Sequence, residues 1–274
     1  MEAIVTPYII FTTTVLCIFI LIIIYLISVI VYPKKPIEYI RKTLNLRSSS
    51  DLLEDATSWE EFIYDNNIYN LYFYKKQDNF DVILLDFPGG AFISCSNSLK
   101  PYKYIDQPYN VISIEYPVLP EGTIPYTMKF LHELMEYLNK TYNNPKYIFM
   151  AASAGCMYAT KLMNSNKYNV IKYISMNGYY GYSTVDNMLS KIGDHLYLRN
   201  SKKEKCKPPP SNVKCMYAIT EDDFLKSSTE NYTSSFGAQD QIIKYEGNDH
   251  CFYNRYNSLE AKLFYKDVEK FIKN

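Results

Sequence analysis

A chain of 274 residues has room for one hydrophobic core and is short for two catalytic domains. Lys and Arg total 29, as do Asp and Glu, so a net charge of zero argues for neither nucleic acid nor an acidic substrate as partner. Cys17, Cys95, Cys156, Cys206, Cys215 and Cys251 form no CxxC pair. With Cys17 in an apolar run the remainder is odd, so free thiols in a reducing compartment are expected, a Cys206–Cys215 bridge being the alternative.

Residues 1–7 form a short tail. From Tyr8 to Tyr32 no residue is charged, and Pro7 and Pro33 frame the stretch. As a helix, residues 8–32 would span roughly 37 Å, enough to cross a hydrocarbon layer of about 30 Å with some tilt. The start, MEAIVTP, carries no Lys or Arg and no A-x-A-like site follows, so a retained membrane anchor is expected over a cleaved signal peptide. Lys34, Lys35, Arg41, Lys42 and Arg47 follow the run while only Glu2 precedes it, which by the positive-inside rule places the following domain in the cytosol. Asn139 and Asn231 open N-glycosylation triplets that would point to the lumen, although such triplets arise often by chance in an Asn-rich chain.

Residues 33–61 read as a juxtamembrane linker, with Ser48, Ser49 and Ser50 inside it, followed by a short helix around Asp51–Glu61. From residue 62 to 274 β-rich runs alternate with helical stretches. Strands are expected at Ile68–Lys75, Asp81–Phe87, Val111–Tyr116, Tyr147–Ala152, Val170–Met176, Val213–Thr220 and Gln241–Glu246. Helices are expected at Thr127–Lys140, from Ala154 to Met163, and at Ser258–Ile272, where Leu259, Leu263, Phe264, Val268, Phe271 and Ile272 repeat near 3.6 residues. Such alternation builds a mostly parallel sheet covered on both faces, with ligands at the carboxyl ends of the strands.

Four segments at those ends carry chemistry. Ala151-Ala152-Ser153-Ala154-Gly155 follows a strand and opens a helix, the setting of a G-x-S-x-G nucleophile elbow in which small neighbours let the backbone double back. Taken alone, a serine flanked by alanines at a helix start is more often a simple cap. Phe87-Pro88-Gly89-Gly90-Ala91-Phe92 follows an earlier strand, and its glycine pair lets backbone N–H groups approach a developing oxyanion. In isolation it is equally a Pro-Gly turn. Glu221, Asp222 and Asp223 follow a third strand, where a carboxylate can orient an imidazole or simply start a helix. His250 follows the last strand in Gly247-Asn248-Asp249-His250-Cys251-Phe252. The other two histidines, His132 on a helix and His195 before Pro208, read as structural. The order serine, acid, histidine is that of the α/β-hydrolases.

With these residues in view, positions 80 to 273 resemble the hormone-sensitive-lipase and arylacetamide-deacetylase branch of the α/β-hydrolases. FPGGAF (87–92) resembles its HGGGF or HGGAF oxyanion motif, EYPVLPE (115–121) its DYRLAPE segment, AASAG (151–155) its GDSAG elbow and GNDHCF (247–252) its G-x-x-H-x-F ending. Pro209 to Leu225 is similar to its PP…D-x-L stretch, a resemblance that selects Asp223 over Asp222 as the acid. The resemblance implies an α/β-hydrolase fold with a mostly parallel central sheet, preceded here by one transmembrane helix. It implies Ser153, Asp223 and His250 as catalytic triad, with the N–H groups of Gly90, Ala91 and Ala154 as oxyanion donors and Gly89 shaping the loop. Arylacetamide-deacetylase members also carry an N-terminal anchor, with the domain facing the lumen. Three departures stand out: Pro88 in place of histidine, Ala151 in place of glycine, and a short stretch between Ser153 and Asp223 that implies a reduced cap.

The resulting expectation is a membrane-anchored serine carboxylic-ester hydrolase (esterase, lipase or deacetylase) that acts through an acyl-enzyme on a small lipophilic ester. No HExxH or other ligand cluster is present, so no metal or organic cofactor is expected. The competing expectation is a catalytically silent interaction protein on the same fold at the membrane. A peptidase on this fold has no distinguishing feature in the sequence.

Overall fold

Among the residues that the computed structural model describes, the chain from Ser58 onward folds into eight strands and four α-helices. The described residues are 56–95, 109–181, 205–247, 250–255 and 257–274, with 19, 20, 22, 23, 37–39 and 42 near the N-terminus. In chain order the elements are β1 (Ser58–Tyr64), β2 (Asn67–Lys75), β3 (Val82–Phe87), β4 (Asn110–Ile114), α1 (Ile124–Thr141), β5 (Lys146–Ala152) and α2 (Gly155–Met163). They continue with β6 (Val170–Met176), β7 (Lys214–Thr220), α3 (Lys226–Ser234), β8 (Ile242–Tyr245) and α4 (Leu259–Lys273).

The strands form one sheet in the order β1-β2-β4-β3-β5-β6-β7-β8. β2 runs antiparallel to both β1 and β4, and every pairing from β4 through β8 is parallel. Side chains alternate across a strand, and β5 shows the consequence. Tyr147, Phe149 and Ala151 enter the core on one face, with Phe130, Leu131, Leu134 and Leu138 of α1 and Met157, Ala159 and Leu162 of α2. Ile148, Met150 and Ala152 enter the core on the other face, with Ala261, Phe264, Val268 and Ile272 of α4. A strand buried on both faces is mostly apolar, as the parallel strands here are, and buried polar residues such as Asp86 and Ser113 are paired, here with each other at 2.6 Å. Each fully buried Leu, Ile or Phe contributes about 1.5–3 kcal/mol.

The covering helices begin where side chains can replace missing backbone partners. Thr123 caps α1, its side chain accepting from the N–H of Tyr126, and proline stands in the first turn, where no N–H is needed. The Ser258 hydroxyl likewise accepts from the Ala261 N–H at the start of α4, and Lys270 and Lys273 lie in the last turn, near its negative pole.

Three differences from the sequence expectations have physical causes. The helix expected around Asp51–Glu61 is overturned at its C-terminal part: residues 58–61 belong to β1, paired from Ser58 opposite Phe73 to Tyr64 opposite Asn67. The polar Glu60 and Glu61 masked a strand whose inward residues Phe62 and Tyr64 are buried. β4 stops at Ile114 because the next pair of the β2–β4 register is only half made: the Glu115 N–H donates to the Asn70 carbonyl at 3.1 Å, but the Asn70 N–H goes to the Glu115 carboxylate at 2.7 Å. Helix α3 was not expected. Its residues, KSSTENYTS, are polar, and Ser228, Thr229 and Thr233 are buried through hydrogen bonds instead of apolar contact.

The five described cysteines are all free thiols, so no Cys206–Cys215 bridge forms. Met1–Asn45 and Leu46–Asn274 are separate compact units. Phe19, Ile20, Ile22 and Ile23 are helical and exposed; the remainder of the expected anchor at 8–32 lies outside the described residues. Among the described residues, no helix is long and apolar enough to cross a membrane. Residues 182–204, with His195 and the region of the expected reduced cap, also lie outside them.

Candidate active site

The parallel strands place their carboxyl ends side by side, and the loops that leave them converge. β5 ends at Ala152 and α2 starts at Gly155, so the chain reverses over two residues. Ser153 sits in the left-handed region with φ 49°, a conformation that costs a non-glycine residue roughly 1–2 kcal/mol. Backbone bonds hold it there: its N–H donates to the Met176 carbonyl at 3.0 Å, and its carbonyl accepts from Tyr179 at 3.0 Å and Cys156 at 3.2 Å. A Cβ at Gly155 would lie 2.2 Å from the Phe87 carbonyl oxygen and 2.7 Å from that of Pro88, so glycine alone lets the helix start this close to the β3 loop. Ala151, which stands where the elbow motif has glycine, is a β5 residue whose side chain is fully buried in the core. The substitution is absorbed by the sheet.

The loop after β3 lies against this turn. A Cβ at Gly89 would come within 3.0 Å of the Ser153 Cβ. Gly90, Ala91 and Phe92 have φ of 136°, 52° and 64°, and the Gly90 carbonyl accepts from the N–H groups of Ile93 at 3.0 Å and Ser94 at 2.9 Å. Among the described residues, the N–H groups of Gly89, Gly90, Ala91 and Ala154 make no backbone hydrogen bond. Unpaired N–H groups in successive turn conformations form an anion-binding concavity. Pro88 supplies neither side-chain donor nor N–H, and the loop is tied down by another route. The buried hydroxyl of Tyr116 donates to the Pro88 carbonyl.

Asp223 follows β7 with its side chain wholly buried. Its Oδ1 accepts from the Leu225 N–H at 2.6 Å, an Asx-type turn that fixes the carboxylate, and its Oδ2 lies 2.6 Å from His250 Nδ1. His250 Nε2 lies 2.9 Å from Ser153 Oγ. An ionised carboxylate only accepts, so it places the imidazole proton on Nδ1 and leaves Nε2 to accept from the serine hydroxyl. Asp222, the adjacent alternative, is exposed, and its N–H donates to the Gly247 carbonyl. Geometry therefore separates two carboxylates that adjacency in the sequence could not. The three side chains anticipated from the sequence meet in one hydrogen-bonded chain, and the four anticipated loop and elbow residues flank it.

His132 does not join them. On α1 it pairs with the Tyr168 hydroxyl at 2.7 Å, and burial lowers its pKa. Two neighbours of the site escaped sequence reading. Phe224 packs its ring 4.4 Å from the His250 imidazole while remaining 58% exposed, and its place between two motif residues was the available signal. Asn177, at the end of β6, is fully buried and hydrogen-bonds to the His250 carbonyl at 2.9 Å. An asparagine just past an apolar strand gave little warning.

No family model and no curated protein matches the chain. Solved structures do match in fold. Carboxyl esterase 2 from the mycorrhizal fungus Tuber melanosporum aligns with a TM-score of 0.62 at 14% identity, over 82% of this chain and 89% of that one. A putative esterase from Staphylococcus aureus aligns with a TM-score of 0.65 at 13% identity, over 86% and 90% of the two chains. An esterase of the bacterial hormone-sensitive lipase family aligns with a TM-score of 0.63 at 11% identity, over 81% and 86%. The protein thus has the α/β-hydrolase fold, in the form these esterases share.

Proposed function

We propose that the protein is a serine hydrolase of carboxylic esters. The observation that carries this reading is the continuous chain Ser153 Oγ, His250 Nε2, His250 Nδ1, Asp223 Oδ2, with contacts of 2.9 and 2.6 Å. His250 takes the hydroxyl proton as Ser153 Oγ attacks the ester carbonyl. Asp223 holds the imidazole tautomer and stabilises the imidazolium that forms. The tetrahedral oxyanion falls to the N–H groups of Gly90, Ala91 and Ala154, at the start of α2, where the helix dipole adds to them. His250 then protonates the leaving alcohol, and an acyl group remains on Ser153. Water, deprotonated by the same imidazole, releases the acid and restores the serine. The esterase fold of the structural neighbours supports the same reaction class.

Residues 8–32 would anchor the enzyme in a membrane, and the basic residues from Lys34 to Arg47 favour a cytosolic domain. A membrane-tethered hydrolase meets lipophilic esters at high local concentration, and that is the substrate class proposed.

A fluorophosphonate probe tests the reaction. Wild-type protein should label and hydrolyse p-nitrophenyl esters, and Ser153→Ala should lose labelling and lower kcat by up to about 10^6-fold. A folded wild type that neither labels nor turns over would overturn the enzyme reading in favour of a silent interaction protein.

A further inference from the structure

Resting on that reading, we infer that Asn177 is a positioning residue that sets the register between the acid and the base of the triad. It follows β6 directly, is fully buried and has φ 45°. Asparagine tolerates this left-handed conformation better than almost any residue except glycine. The backbone turn it makes leaves its N–H on the Ala218 carbonyl at 2.9 Å, extending the β6–β7 ladder by one residue. Its side chain spans the gap that follows. Oδ1 accepts from the Thr220 N–H at 3.0 Å, and Nδ2 donates to the His250 carbonyl at 2.9 Å and the Thr220 hydroxyl at 3.4 Å.

Thr220 is the last residue of β7, and its carbonyl accepts from the Asp223 N–H at 3.3 Å. One amide therefore holds the strand end from which the acid departs and the main chain of the base. The same turn carries Tyr179, whose N–H donates to the Ser153 carbonyl at 3.0 Å. Each triad member is thus referenced to the few residues after β6. The loop that carries His250 leaves β8 at the sheet edge, where parallel pairing supports it from one side only, and a long imidazole lever magnifies any drift of its backbone. Asn177 does not touch the reacting atoms; it acts through His250.

Two variants of the full-length protein test this. Asn177→Gly keeps the positive φ without strain and removes the amide. Asn177→Asp keeps the acceptor for Thr220 and removes the donor to His250. Both should lower kcat and the fluorophosphonate labelling rate per folded molecule on the order of 100-fold, the scale of a misplaced catalytic group, with KM little changed. A readout independent of turnover accompanies them. The His250 Nδ1 proton, held by Asp223, should give a downfield proton resonance in the wild type, identified by its absence in His250→Ala. It should vanish by exchange in Asn177→Gly.

Variants that keep the resonance, or that label at the wild-type rate once corrected for folded fraction, would overturn the inference and leave Asn177 a structural amide. If the wild type does not label, the hydrolase reading falls, and the resonance alone decides whether Asn177 positions His250.

Discussion

At the scale of single residues, this site is built from close approaches that only small side chains permit. Ser153 bears a positive φ, and the turn closes because Gly155 has no Cβ where the carbonyls of Phe87 and Pro88 stand. Gly155→Ala would put a carbon 2.2 Å from a backbone oxygen, which cannot swing away as a side chain can. The expected cost is about 1–3 kcal/mol of stability, by urea unfolding, with a reduced labelling rate because the β3 loop must shift. An unchanged midpoint would mean that the helix start can slide, and that the contact is looser than it looks. Gly155 and Ser153 were legible in the sequence because the elbow has a local pattern. Phe224 and Asn177 were not, since their importance comes from what lies across the site.

At the scale of elements, strand ends do the positioning, and cross-strand ties fix where they fall. The Glu115 carboxylate, buried just past β4, accepts from the N–H and side-chain amide of Asn70 on β2 at 2.7 and 3.0 Å. Burial pushes its pKa up to about 7 despite these two donors. A carboxyl raised in the folded state contributes stability that is fully present below the unfolded value near 4.5 and lost as pH rises through 7. The effect amounts to roughly 3 kcal/mol for a shift of this size. Glu115→Gln keeps an oxygen for Asn70 and removes the ionisation. Its Tm relative to wild type should climb across that pH window, and a difference independent of pH would show that Glu115 ionises without penalty. Element reading succeeded where hydrophobic period and strand length agreed, as in β3, β5, β6 and α4. It failed for β1, whose outward Glu residues resemble a polar helix until β2 supplies the partner strand.

At the scale of the whole molecule, the parallel order from β4 to β8 brings the loops after β3, β5, β7 and β8 to one end of the sheet. Residues 153, 223 and 250 meet there because those loops do. The N-terminal apolar run adds a second expectation at this scale. Full-length protein in native membranes should stay in the pellet after alkaline carbonate extraction, and protease added to the cytosolic face should reach its domain. Release into the supernatant would remove the anchor proposal, and protection from protease would reverse the orientation.

Taken by itself, the sequence determined most of the elements, though not β1 or α3, and which side chains can do chemistry. Apolar period and local motifs are properties of neighbouring residues, and Ser153, His250 and the glycine pair at 89–90 are each recognisable from the few positions on either side of them. Only the tertiary structure decided between Asp222 and Asp223 on geometric grounds, because the choice depends on which carboxylate is buried toward an imidazole from another loop. It alone showed that Tyr116 holds the Pro88 carbonyl where the resemblance had led one to expect a histidine. It alone placed Asn177 between acid and base. Contacts between residues far apart in the chain have no local signature, since what makes them possible is the packing of the sheet as a whole.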